Sequence, residues 1–248
     1  MKLKGKVAVV TGSSKGIGAG IAKEFAREGA SVVVNYSSSK EYADKVVDAI
    51  TQNGGTAIAV QADISKIEDI KSLFDETKKA YGRLDILVNN ASVWRYEMLE
   101  DISEESFLLQ IRTGLMAHMF TSQQAVKMFG EEGGSIINLS STISLNPIPG
   151  TLIYCAVKAG VDSIAKTLAK ELGPKNIRVN TIAPGMTESE GSTADGRPGS
   201  AMEKHYLDQT PLGRIGLPVD IAKVAVFLAS NEAAWVTGER ISVSGGML

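Results

Sequence analysis

The stretch Val7-Ala8-Val9-Val10-Thr11-Gly12-Ser13-Ser14-Lys15-Gly16-Ile17-Gly18 decides the fold. Its apolar opening, rich in valine, reads as a strand covered on both faces. Glycines follow at once in the spacing G-x-x-x-G-x-G, which differs from the G-x-G-x-x-G of the usual dinucleotide fingerprint. Beyond them Gly16–Glu28 carries a helical pattern. A strand that turns through glycines into a helix offers free N–H groups at a partly positive terminus, a geometry that receives a pyrophosphate. Glycine there permits positive φ and a close backbone approach. The cofactor-binding residues predicted in this turn are Gly12, Ser14, Lys15, Gly16, Ile17 and Gly18.

The same unit recurs outward along the chain. Val7–Thr11, Ser31–Tyr36, Thr56–Gln61, Ile86–Asn89, Ser135–Ser140, Arg178–Ile182 and Arg240–Val243 read as seven strands. Helical patterns lie between them at Gly16–Glu28, Glu41–Asn53, Lys66–Tyr81, Ser103–Phe129, Tyr154–Gly173 and Pro218–Ala229. This alternation predicts an α/β fold, a single doubly wound Rossmann-type domain over residues 1–248 with a seven-stranded parallel sheet flanked by helices. Met186–Thr210 breaks the rhythm with glycines, Pro198 and small polar residues. It follows a strand end, where such sheets bind ligands, so it is read as a substrate lid over 186–210, with a plain surface insertion as the rival.

Composition narrows the function. The chain has 248 residues, 44% of them hydrophobic and 22% charged, a balance that folds without disulfide or metal. A net charge of -2 and the lack of a Lys/Arg stripe argue against a nucleic-acid partner. Cys155 is the only cysteine, which excludes an intrachain disulfide and fits a reducing compartment. No leader-like segment opens the sequence and no apolar run spans a bilayer, so the expected setting is cytoplasmic, away from the membrane. His118 and His205 lack metal-ligand spacing, and no metal is expected.

At the end of strand two, a carboxylate would hold the ribose 2′-hydroxyl of NAD. This chain has Asn35-Tyr36-Ser37-Ser38 there, and Lys15 stands in the glycine turn within reach of a 2′-phosphate. The missing acid and the nearby base favour NADP(H) over NAD(H), which stays open as a second cofactor. Asn35, Tyr36 and Ser37 therefore count as cofactor residues, although Asn35 also reads as a strand cap. Asp63, with Ile64 beside it, follows strand three and can accept a bond from the adenine amino group; a turn-forming Asp is the alternative.

Tyr154 and Lys158 lie four apart on a helical pattern and share one face. A phenol is a poor acid or base near neutrality, but an adjacent ammonium stabilises phenolate and lowers its pKa. Ser141, at the carboxyl end of Ser135–Ser141, can hydrogen-bond a substrate oxygen beside Tyr154; Ser140 and Thr142 are rivals.

The glycine turn, Asn89-Asn90-Ala91, Ser141, Tyr154 with Lys158, and Pro184-Gly185 occur in this order, and Ser244-Gly245-Gly246-Met247 closes the sequence. This set resembles the short-chain dehydrogenase/reductase family over essentially the whole chain, most of all bacterial 3-oxoacyl-carrier-protein reductases, glucose 1-dehydrogenases and related ketoreductases. The resemblance implies hydride transfer between the nicotinamide and a small carbonyl or alcohol substrate. Tyr154 would be the general acid/base, Ser141 would hold the oxygen, and Lys158 would bind the nicotinamide ribose and lower the Tyr154 pKa. Asn89 would help shape the cofactor cleft, with Asn90 and Ala91 beside it. Pro184, Gly185 and Thr187 would lie by the carboxamide and phosphates. It further implies a homotetramer that uses the helices at Ser103–Phe129 and Tyr154–Gly173.

Two residues depart from the family pattern. Gly114 stands where the family usually has an Asn that holds a relay water, and Ser92 where a Gly often follows Asn-Asn-Ala. Either water fills the space at Gly114, or the relay is impaired, or the chain is an altered variant. A weakened NADP(H)-binding protein without turnover is the non-enzyme alternative. Glu131-Glu132, just before strand five, would repel an acidic carrier protein and favours a small carbonyl substrate.

Overall fold

The computed structural model describes residues 1–189 and 201–247. Its elements run β1 (Val7–Val10), α1 (Gly16–Arg27), β2 (Ser31–Tyr36), α2 (Lys40–Gln52), β3 (Thr56–Gln61), α3 (Ile67–Tyr81), β4 (Ile86–Asn89), α4 (Glu104–Ile111) and α5 (Ala117–Met128). Then come β5 (Gly134–Leu139), α6 (Leu152–Leu172), β6 (Ile177–Pro184), α7 (Ala201–Gln209), α8 (Pro218–Ala229) and β7 (Arg240–Val243). The strands form one sheet in the order β3-β2-β1-β4-β5-β6-β7, with every neighbouring pair parallel. Strand order reverses between β1 and β4, and that switch point opens a crevice at the carboxyl edge of the sheet.

Alternation along each strand feeds two cores. Ala8 and Val10 of β1 point to one face and pack with Ile21 and Phe25 of α1 and Ile221 and Ala225 of α8. Val7 and Val9 point to the other, with Leu73 and Phe74 of α3, Ala125 of α5 and Ala165 of α6. β1 is buried at every position, as a central parallel strand covered on both faces must be. Each large apolar side chain so removed from water contributes about 1.5–3 kcal/mol.

Two sequence expectations change. The helix expected over Ser103–Phe129 is two helices joined by a π-helical turn at Arg112–Met116. The backbone stays in the right-handed helical region on both sides of the turn, so the pattern alone reads as continuous. Within Met186–Thr210, Ala201–Gln209 is helical as α7; residues 190–200 of the expected lid lie outside the described residues.

Candidate active site

The crevice begins with Thr11, whose buried hydroxyl ties the ends of β1 and β4 together. It accepts from the amides of Asn90 and Ala91 at 3.0 and 3.1 Å and donates to the Val88 carbonyl at 3.3 Å. Gly12 follows with φ 59°, and a Cβ there would stand 2.7 Å from that of Ala91. Only glycine fits this left-handed, close-packed position. Asn90 Nδ2 donates to the carbonyls of Thr11 and Gly12 at 2.9 and 3.0 Å, which fixes the turn against the β4 loop.

Over this turn lies a cavity of about 430 Å³, lined among others by Gly12, Ser37, Asp63, Asn90, Ser92 and Thr113. Ser92 Oγ is buried and has no partner among the described residues, so this departure from the family pattern places a donor on the cavity wall. Ile64 and Ala91 also line the cavity. Asp63 lies in a turn of its own: its Oδ1 accepts from the Ser65 amide and hydroxyl at 3.0 and 2.7 Å, and Lys66 Nζ lies 3.6 Å from Oδ2. Burial raises the Asp63 carboxyl, but the Ser65 bonds and Lys66 outweigh it and hold the group below its ordinary range. It is thus both the turn former and a cavity residue.

Asn35 lines the cavity and also holds the turn in place. Its Oδ1 accepts from the Gly12 amide at 3.0 Å and its Nδ2 donates to the Ala62 carbonyl at 3.1 Å. With both ends of the amide used and the residue 1% exposed, Asn35 clamps the glycine turn to β2 and β3. Tyr36 is half-buried against the core and Ile17 packs on the same cluster. Lys15 Nζ stands 3.8 Å over the centre of the Tyr42 ring, at the start of α2, and Lys45 Nζ lies 5.2 Å from the same centre. Ser14, Gly16 and Gly18 complete the turn into α1, with Gly16 at φ 56°. Pro184 ends β6. Gly185 donates to the Val243 carbonyl at 3.0 Å, and the Thr187 hydroxyl donates to the Gly185 carbonyl at 3.0 Å.

The structure brings Ser141, Tyr154 and Lys158 together. Ser141 follows β5, and its hydroxyl accepts from the Ile143 amide at 3.3 Å. Tyr154 occupies the first turn of α6 and Lys158 the next. Lys158 is 2% exposed. Its Nζ donates to the Leu139 carbonyl at 2.8 Å and lies 5.4 Å from the centre of the Tyr154 ring. Burial pulls this ammonium down to about 8, with Asp162 opposing. Burial also pushes the Tyr154 phenol up to about 12, against a hydrogen bond with Ser141 that draws it down. In this arrangement the ammonium is turned to Leu139 and desolvation dominates the phenol. The phenol stays protonated at neutral pH. Ser140, a rival for the serine role, is buried and donates to the Lys158 carbonyl at 3.1 Å.

Sequence reasoning missed the buried polar layer that Asn89 forms with Thr121 and Asn138. Asn89 is buried under α5, where it accepts from Thr121 Oγ1 at 2.6 Å and donates to Asn138 Oδ1 at 3.0 Å. It braces the floor rather than lining the cleft. His118 is also buried there. Burial and the nearby Lys158 ammonium push its pKa down to about 3, so the imidazole is neutral. Gly114 sits in the π turn against α6, and a Cβ there would overlap Val157 Cγ1. No Asn fits that space unless Val157 moves. Glu131 and Glu132 are exposed at the amino end of β5, the opposite edge from Ser141, so their charge does not face the site. Among the described residues no helix is long and apolar enough to cross a membrane, and no group of three potential metal ligands occurs.

Residues 12–248 match the family model described as enoyl-(acyl carrier protein) reductase. The chain belongs to the short-chain dehydrogenase/reductase family of oxidoreductases. It is 49% identical to an uncharacterised oxidoreductase of Methylorubrum extorquens, over 99% of each chain. Its identity to the versicolorin reductase of Emericella nidulans is 37%, over 99% of this chain and 96% of that one. Among solved structures, a short-chain dehydrogenase of Burkholderia cenocepacia in complex with NADP superposes with a TM-score of 0.94 at 34% identity, covering 100% of this chain and 99% of that one. The angucycline C-6 ketoreductase LanV with bound NADP gives 0.89 at 35%, covering 100% and 97%.

Proposed function

We propose that the chain is an NADP(H)-dependent carbonyl reductase, or alcohol dehydrogenase in reverse, with Tyr154 as general acid/base. The observation that carries this reading is the meeting of Ser141, Tyr154 and Lys158 beside the crevice at the switch point of the sheet. The crevice fits a dinucleotide: Gly12 leaves room that a Cβ would fill, and Ser92 Oγ is a buried polar atom still unpartnered. The glycine turn would hold the pyrophosphate, Lys15 and the serines after β2 the 2′-phosphate, and Lys158 the nicotinamide ribose. When bound, the reduced nicotinamide supplies a hydride.

The chain's own residues do the rest. Ser141 Oγ holds the carbonyl oxygen, and Tyr154 Oη gives its proton to the alkoxide that develops there. A phenol that burial keeps protonated suits the reductive direction, since it arrives at each turnover with its proton in place. The Lys158 ammonium then stabilises the phenolate left behind. The reductase names of the relatives support a ketone substrate. Leu145 and Leu152, both exposed near the start of α6, give the mouth apolar surface suited to a small ketone or ketoester.

The test is oxidation of NADPH and NADH by purified protein with a panel of aryl ketones, ketoesters and acetoacetyl thioesters, beside Tyr154→Phe. Turnover is expected to favour NADPH and to fall about 10²–10⁴-fold in the variant. Equal activity of the two proteins would overturn the assignment of Tyr154. NADPH binding without turnover of any substrate would favour the non-enzyme alternative.

A further inference from the structure

Behind the catalytic set lies a second, closed group of side chains. Asp162 is one turn beyond Lys158 on α6, and Arg240 reaches it from β7. Arg240 Nε donates to Asp162 Oδ2 at 3.0 Å, and its Nη1 to Ser242 Oγ at 2.9 Å. Its Nη2 donates to the backbone carbonyl of Ser141 at 3.0 Å and to Ser144 Oγ at 3.1 Å. Ser144 Oγ donates in turn to Asp162 Oδ2 at 2.6 Å. Both charged side chains are largely withdrawn from water, at 14% and 10% exposure. One guanidinium thus joins the residue that carries the catalytic hydroxyl to the helix that carries Tyr154 and Lys158. Asp162 Oδ1 is buried and accepts from none of the described residues, so its charge is only partly compensated.

We propose that Asp162 and Arg240 are positioning residues of the Ser141–Tyr154–Lys158 set, fixing Ser141 against α6 and setting the charge balance felt by Lys158 and Tyr154. The role presupposes Tyr154 as the proton donor. A planar guanidinium fork suits it, because it can hold a carboxylate, a carbonyl and a hydroxyl in one fixed geometry. Buried charges so close act on their neighbours through a poorly screened medium. Lys158 is faced by Tyr154 and Asp162 from its own helix and by His118 from α5, with Arg240 behind Asp162. Cys155 adjoins Tyr154. His118 stays neutral above its low pKa, which leaves Asp162 and Arg240 as the fixed charges beside the pair.

The two charges act with opposite sign. Loss of the Asp162 carboxylate removes support for the ammonium and relieves the phenolate, so both groups titrate lower. Loss of the Arg240 cation does the reverse. The experiment is the pH profile of kcat/KM for NADPH-dependent ketone reduction, with NADPH binding by fluorescence as the check of folding. Asp162→Asn should move the alkaline limb down and Arg240→Gln should move it up, each by about one pH unit, and the double variant should return near the wild-type position. Arg240→Lys keeps the charge but loses the fork, so kcat should fall several-fold while the limb stays; this variant carries the test if either neutral variant fails to fold. An inactive Tyr154→Phe with both single variants leaving the limb unmoved, or moving it in the same direction, overturns the proposal. So does Arg240→Lys with full kcat. A fully active Tyr154→Phe would instead remove the acid/base reading on which the role depends.

Discussion

Lys15 stands over the Tyr42 ring with its ammonium 3.8 Å from the centre, at the start of α2. A cation held on an aromatic face is pre-oriented and loses little freedom when an anion arrives. Under the proposed cofactor preference, Lys15→Ala should raise KM for NADPH about tenfold, the loss of one charge-assisted hydrogen bond, and leave KM for NADH nearly unchanged. Steady-state titration of the two cofactors measures this, and equal effects on both would refute a 2′-phosphate contact. That Tyr154 and Lys158 share a face was legible in the sequence, because spacing along a helix fixes it, and Ser141 was legible as the end of a buried strand. Asn35 was legible only as a position. Its partners, Gly12 and Ala62, are distant in sequence, and nothing local says that its amide is already spent. Asp162 had a signal in its spacing of four from Lys158, whereas Arg240 had none.

At the scale of elements, the π turn between α4 and α5 explains Gly114. It presses the backbone onto Val157 of α6, where any Cβ would overlap Cγ1. Gly114→Asn should therefore destabilise the fold by about 1–3 kcal/mol, as overpacking does. Val157→Ala should recover part of that loss in the double variant. Denaturant midpoints of the four proteins close the cycle, and a Gly114→Asn protein as stable as the wild type would sink it. Nothing in the apolar pattern marks this turn, because the chain stays in the right-handed helical region on both sides of it. Strand positions were read well, since runs such as Val7–Val10 have no other stable home than a doubly covered sheet. α7 escaped because its polar sequence, Ala201–Gln209, has no strong apolar stripe.

For the whole molecule, His118 links stability to pH. Its folded pKa, about 3, lies below the ordinary 6.5, so the unfolded chain binds the extra proton first. Its contribution is complete above pH 6.5 and is lost as pH falls toward 3, at about 1.4 kcal/mol per pH unit. Unfolding midpoints from pH 7.5 down to 5 should fall less steeply in His118→Gln than in the wild type; parallel slopes would show that His118 is not the titrating group. Assembly is a separate expectation. Phe107 and Met119 on α4 and α5, and Trp235, are exposed apolar surface. Analytical ultracentrifugation should return a tetramer, with a monomer refuting it. Finally, α1 rests on α8, with Gly20 against Pro218, although nearly two hundred residues separate them in the chain. The contact joins segments far apart in the chain, so α1 lacks this part of its cover until Pro218–Ala229 has been synthesised. A nascent chain must therefore carry a half-covered α1 until α8 follows, and a premature stop before Pro218 would leave Ser141, Tyr154 and Lys158 on a protein that chaperones and proteases treat as unfinished.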